Sequence, residues 1–184
     1  LVGAAGAVNR TLGSGKSTPP ETLMWDGKND AGQVVEGTYT ARLQVLYTKG
    51  DVIDQSIPGI LVDITGPKLN FSATPQYFSP DNDGVDDELT MNINVQDASP
   101  IASWSLEIRE PEGPKQLFYR IEGKGTPSAK YTWDGRSNKG ELVQAATDYP
   151  VQIQATDTLG NSSSSSATIG VDVLVIREGD VLKI

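Results

Sequence analysis

Apolar and polar residues alternate with a period of two along most of this chain. Leu89, Met91, Ile93 and Val95 stand between polar neighbours, and so do Ala102, Trp104, Leu106 and Ile108. Leu117, Tyr119 and Ile121 form a third run, and Tyr149, Val151, Ile153 and Ala155 a fourth. Ala167, Ile169, Val171, Val173 and Val175 form a fifth. Alternate side chains of an extended strand point to opposite faces, so each run predicts a strand with one dry face and one wet face. Asp-Gly, Glu-Gly, Asn-Lys-Gly and Leu-Gly-Asn lie between the runs and carry hairpin-turn chemistry. No stretch has helical spacing with caps. Earlier in the chain, Tyr39 to Tyr47 alternates too, and Ile60, Val62 and Ile64 give one more run.

These runs belong to an internal repeat. Trp25-Asp26-Gly27-Lys-Asn-Asp-Ala-Gly32-Gln-Val-Val35 matches Trp133-Asp134-Gly135-Arg-Ser-Asn-Lys-Gly140-Glu-Leu-Val143 at an offset of 108 (133 − 25). Tyr39–Val45 matches Tyr149–Ala155 at 110 (149 − 39), Arg10–Gly15 matches Arg120–Gly125 at 110, and Val62–Ile64 matches Val171–Val173 at 109 (171 − 62). Four blocks in one order mark a tandem repeat of about 110 residues whose first copy lacks its beginning. Strands that are dry on one face are satisfied when two sheets pack face to face. The expectation is an all-β chain of tandem immunoglobulin-like β-sandwiches, the first incomplete at its N-terminus. Residues 1–66 form the partial module, 67–176 the complete one, and 177–184 a lead-in to a following domain. A sandwich without its first strands exposes an apolar face and open edges, so either the chain starts inside a domain or those strands come from residues absent here. The short join at Gly66-Pro67 predicts a fairly fixed relation between the modules. Ser162–Ser166 is read as the start of an edge strand.

Composition narrows the chemistry. Among 184 residues there is no Cys and no His, which excludes thiol nucleophiles, His bases, His-containing triads, haem and ordinary zinc sites within this chain. Fifteen Lys and Arg against 24 Asp and Glu give a net charge of −9, the wrong sign for nucleic acid or anionic lipid. No apolar run approaches the roughly 18 residues of a membrane span.

Phe78-Ser79-Pro80-Asp81-Asn82-Asp83-Gly84-Val85-Asp86-Asp87, followed by alternating strands, Trp133-Asp134-Gly135, Tyr149 and Asp157-Thr-Leu-Gly160-Asn161, resembles a bacterial Ig-like module. It is similar to the Ig-like domain of the flagellar hook-capping protein and to the C-terminal modules of gliding-motility and adhesin proteins. The resemblance covers residues 67–176 fully and 10–66 in part. It implies a non-catalytic structural and interaction module in the periplasm or envelope of a diderm bacterium, spacing or presenting a neighbouring domain. Its partners would be proteins or adjacent domains, among them an OmpA-like peptidoglycan-binding domain after Ile184. The alternative is a calcium-stiffened adhesin or a carbohydrate binder.

Three constellations invite chemistry. Gly13-Ser-Gly15-Lys16-Ser17-Thr18 mimics the end of a phosphate-binding loop, but Arg10 stands where the motif needs Gly, and Pro19-Pro20 follows instead of a helix. Asp81, Asp83, Asp86 and Asp87 crowd a loop with Gly84, which suits a hard cation such as calcium. The same pattern suits a solvated loop whose Asp side chains satisfy its own backbone. Asn92 stands where an EF-hand has its last Glu, so that loop type is excluded. Trp25 and Gly27, with Trp133 and Gly135, recur at one repeat position, which favours a structural role: the Trp anchors a core and the Gly takes a positive φ. No carboxylate pair shows a reason for a raised pKa, so no catalytic residue and no required cofactor is expected.

Overall fold

The structure, a computed structural model, describes residues 1–15, 18, 20–112, 115–143 and 147–172, and the backbone of 176–178 and 181–183. It is all-β, and no helix among the described residues is long and apolar enough to cross a membrane. The chain divides into two units, Leu1–Ile64 and Thr65–Ile184.

The first unit is one three-stranded antiparallel sheet of β1 (Val2–Gly3), β2 (Gly37–Leu46) and β3 (Val52–Val62), with β2 in the middle. β3 starts earlier than the alternation suggests, and Ile64 lies beyond its end. Tyr39 pairs with Ile60 but Ala41 with Ile57, so Pro58 and Gly59 together oppose Thr40 in a bulge. A bulge shifts the phase of the pattern, which is why the apolar residues before it do not read as one run with those after it.

The second unit follows with β4 (Lys68–Thr74), β5 (Tyr77–Phe78), β6 (Leu89–Gln96), β7 (Ile101–Arg109), β8 (Leu117–Lys124), β9 (Lys130–Trp133), β10 (Asp148–Asp157) and β11 (Ser162–Val171). One sheet has the order β5-β11-β10-β7-β8 and the other β4-β6-β9. Leu89, Met91 and Ile93 of β6 join Leu106 and Ile108 of β7 and Val151 and Ile153 of β10 in a single buried core. Of the residues expected inside, Leu89 to Val95, Trp104 to Ile108, Tyr149 to Ala155, Ile169 and Val171 are buried, Ala102, Tyr119, Ile121 and Ala167 are half-buried, and Leu117 is exposed. Ile108 pairs with Tyr119 and Arg109 with Leu117, so Phe118 is the extra residue of a bulge. It turns inward and is buried, and Leu117 is left exposed. The serine run is strand, at an edge that β5 covers only beside Gly170 and Val171. Val173 and Val175, read as the end of that strand, lie outside the described residues. β12 (Ile176–Glu178) and β13 (Val181–Lys183) pair antiparallel.

Candidate functional site

The recurring Trp-Asp-Gly turns are built alike to the atom. Trp133 ends β9, and its indole Nε1–H donates to the Arg136 carbonyl at 2.8 Å. The Asp134 carboxylate accepts the Arg136 N–H at 3.1 Å, and Gly135 takes a φ of 79°. In the first unit, Trp25 Nε1–H donates to the Lys28 carbonyl at 2.8 Å, Asp26 accepts the Lys28 N–H at 3.1 Å, and Gly27 has a φ of 76°. The next turn repeats as well. Asn29 Oδ1 accepts the N–H groups of Ala31 and Gln33, as Ser137 Oγ accepts those of Lys139 and Glu141. These side chains answer backbone donors and acceptors that a tight hairpin leaves unpaired, so their recurrence follows from the turn. Trp133 is buried, with ring centroids of Phe78, Tyr119 and Phe118 at 5.5, 5.7 and 6.3 Å. Trp25 is half-buried and meets Tyr39 edge-on at 5.1 Å.

The acidic loop separates into two parts. Carboxylate oxygens of Asp81, Asp83 and Asp87 lie within 4.8 Å of one another. Asp86 is not among them. It has a φ of 55°, and its carbonyl accepts the Ser79 N–H. The clustered carboxylates are already engaged: Asp87 accepts the N–H groups of Asn82 and Gly84 at 2.5 and 2.7 Å, Asp81 that of Asp83, and Asp83 that of Val85. Calcium takes six to eight oxygens, and three carboxylates turned to their own backbone supply few of them. Equal melting temperatures in millimolar calcium and in excess chelator are therefore expected. An extracellular-type site, with a dissociation constant near 10⁻⁴ M, would add about 1.4 kcal/mol in 1 mM calcium, or roughly 5 °C. A shift of that size that Asp83→Ala abolishes would establish the site.

In the phosphate-loop mimic, Lys16, Ser17 and Pro19 lie outside the described residues. Asp157, quoted above only as part of a turn motif, is held by four hydrogen bonds. It lies at the end of β10 and is 2% exposed. It accepts the N–H groups of Leu159 and Asn161, the Asn161 amide and the Ser99 hydroxyl, each at 2.8 Å. Burial pushes its carboxyl up, but the Asn161 amide, Ser99 and the two backbone donors outweigh it and hold the group at about 2. A depressed folded pKa stabilises above the unfolded value of ~3.9 and is lost as the pH falls through about 2. Asp157→Asn is thus expected to melt below wild type at pH 6, with the gap closing towards pH 2. Melts at several pH values check this, and a gap that stays constant would contradict it. The sequence signal was faint: Asp157, Gly160 and Asn161 mark a turn, but Ser99 is 58 positions away.

No protein-family model matches the chain, and no curated protein sequence matches it. Among solved structures it is similar to dimeric latent PorU from Porphyromonas gingivalis, at 19% identity and a TM-score of 0.43. The match covers 76% of this chain and 12% of that one, so this chain spans a small part of that protein's length.

Proposed function

We propose that the chain is a non-catalytic structural module of a bacterial cell-envelope protein, built from tandem Ig-like sandwiches that space or present a neighbouring domain. What supports this reading is where the recurring residues are spent. Trp25, Asp26, Trp133 and Asp134 each hydrogen-bond the turn that follows them, and Trp133 fills the core. A carbohydrate site needs an aromatic face turned to solvent; Trp133 is buried and offers none, and Trp25 is half-buried with Tyr39 edge-on against it. The envelope location and a peptidoglycan-binding neighbour rest on the family resemblance alone. Titration of the chain with peptidoglycan and with soluble polysaccharides separates the two readings. No saturable binding is expected; saturable binding that Trp25→Ala removes would install the carbohydrate reading instead.

A further inference from the structure

Directly opposed residues of an antiparallel pair share a face, so Ala41 with Ile57, Leu43 with Gln55 and Val45 with Ile53 lie on one side of β2–β3. Arg42 with Ser56 and Gln44 with Asp54 lie on the other, where Arg42 is ion-paired to Asp54 and Leu46 with Val52 closes the hairpin end. The first side is apolar but for Gln55, and it is uncovered: Leu43, Ile53 and Ile57 are 46%, 42% and 68% exposed. On β10, the residues that match Ala41, Leu43 and Val45 of β2 are Val151, Ile153 and Ala155, exposed by 2%, 1% and 1%. An uncovered dry face of this kind is a docking surface.

The second unit shows what fits there. A Cβ on Gly135 would come within 2.7 Å of Pro80 and 3.1 Å of Phe78, whereas a Cβ on Gly27 would meet nothing within 4 Å. The room that Phe78-Ser79-Pro80 fills over one Trp-Asp-Gly turn is therefore open over the other. β1 supplies direction. It pairs Val2 with Thr40 and Gly3 with Tyr39, and Val2 bridges Val8. β7 ends the same way, with Ile108 opposite Val151 and Arg109 opposite Leu117. β1 thus sits in the seat of the last residues of β7. Its line continued backwards runs along Ala41–Leu46, as β7 runs along Val151–Thr156.

We infer that a stretch of the same polypeptide, N-terminal to β1, covers this face. Its last strand prolongs β1 along Ala41–Leu46. An earlier strand pair, with a Phe-x-Pro turn between its strands, packs on Leu43, Ile53 and Ile57 and fills the space over Trp25 and Gly27. This inference goes beyond the proposed function and does not depend on it.

The absence of native cysteine gives a clean test. Leu43→Cys and Ile57→Cys, with Ser56→Cys on the polar face as control, are labelled with a maleimide in the 184-residue chain and in the full-length polypeptide that carries it. Labelling at 43 and 57 is expected to be at least ~10-fold slower in the full-length protein, with position 56 unchanged, because covered sites react only on opening. Hydrogen exchange of residues 41–46 in both unsubstituted proteins repeats the comparison without a variant, and slower exchange in the longer one is expected. Equal rates at 43 and 57 in the two proteins would overturn the inference. So would protection of the 184-residue chain that grows with its own concentration, which assigns the face to a second copy, or protection that appears only when another protein is added.

Discussion

Trp133→Ala is expected to lower the melting temperature of the second unit by roughly 10–20 °C, from a loss of about 3–5 kcal/mol. The indole is 2% exposed, and it packs against Phe78, Phe118 and Tyr119. Its removal opens a cavity in the middle of the core and leaves the Arg136 carbonyl without its donor. Domains of this size are stable by about 5–15 kcal/mol, so the loss is a large part of the whole. Trp25→Ala removes a half-buried ring with one aromatic neighbour, and a smaller loss of about 1–2 kcal/mol is expected. Calorimetry reads both. A Trp133→Ala protein that melts within a degree or two of wild type would contradict the core assignment.

The second large effect is a contrast between two glycines at one repeat position. Gly135→Ala forces an L-residue to a φ of 79° and drives its Cβ to 2.7 Å from Pro80. The left-handed backbone costs roughly 1–2 kcal/mol and the overpacking roughly 1–3 more, so a loss of about 2–5 kcal/mol is expected. Gly27→Ala meets the same backbone demand, with a φ of 76°, in open space, so only the first part, about 1–2 kcal/mol, is expected. Denaturant titrations of the two variants measure the difference. Equal losses would show that Pro80 and Phe78 do not crowd Gly135.

Much of the second unit was legible because its strands are long and alternate strictly. β6 and β10 put every second residue inside, as Leu89 to Val95 and Tyr149 to Ala155 show. The Trp-Asp-Gly turns were legible because a positive φ and an Asp brace leave a mark in residue type. β4 carried the same mark in Leu69, Phe71 and Ala73, but these are only half-buried and follow the Gly66-Pro67 join, where a linker is the natural reading. Bulges hid the rest. One extra residue exchanged Leu117 for Phe118, and Pro58-Gly59 broke the pattern of β3. β5 is two residues long and pairs in parallel with β11, so nothing local announces it. Of the candidate acids, sequence crowding placed four in one loop, but only backbone geometry separates Asp86 from Asp81, Asp83 and Asp87. Asp157 stayed hidden because its partner Ser99 comes close only in the folded chain.

A module exchange in the full-length polypeptide tests the structural role most directly. Residues 67–172 are replaced by an unrelated all-β domain with a similar distance between its ends, and the exchange is compared with deletion of the same residues in the organism that makes the protein. If the unit works by spacing its neighbours, the exchange restores what the deletion loses. Restoration by the native residues alone would contradict the account and show that the surface of this unit recognises a specific partner.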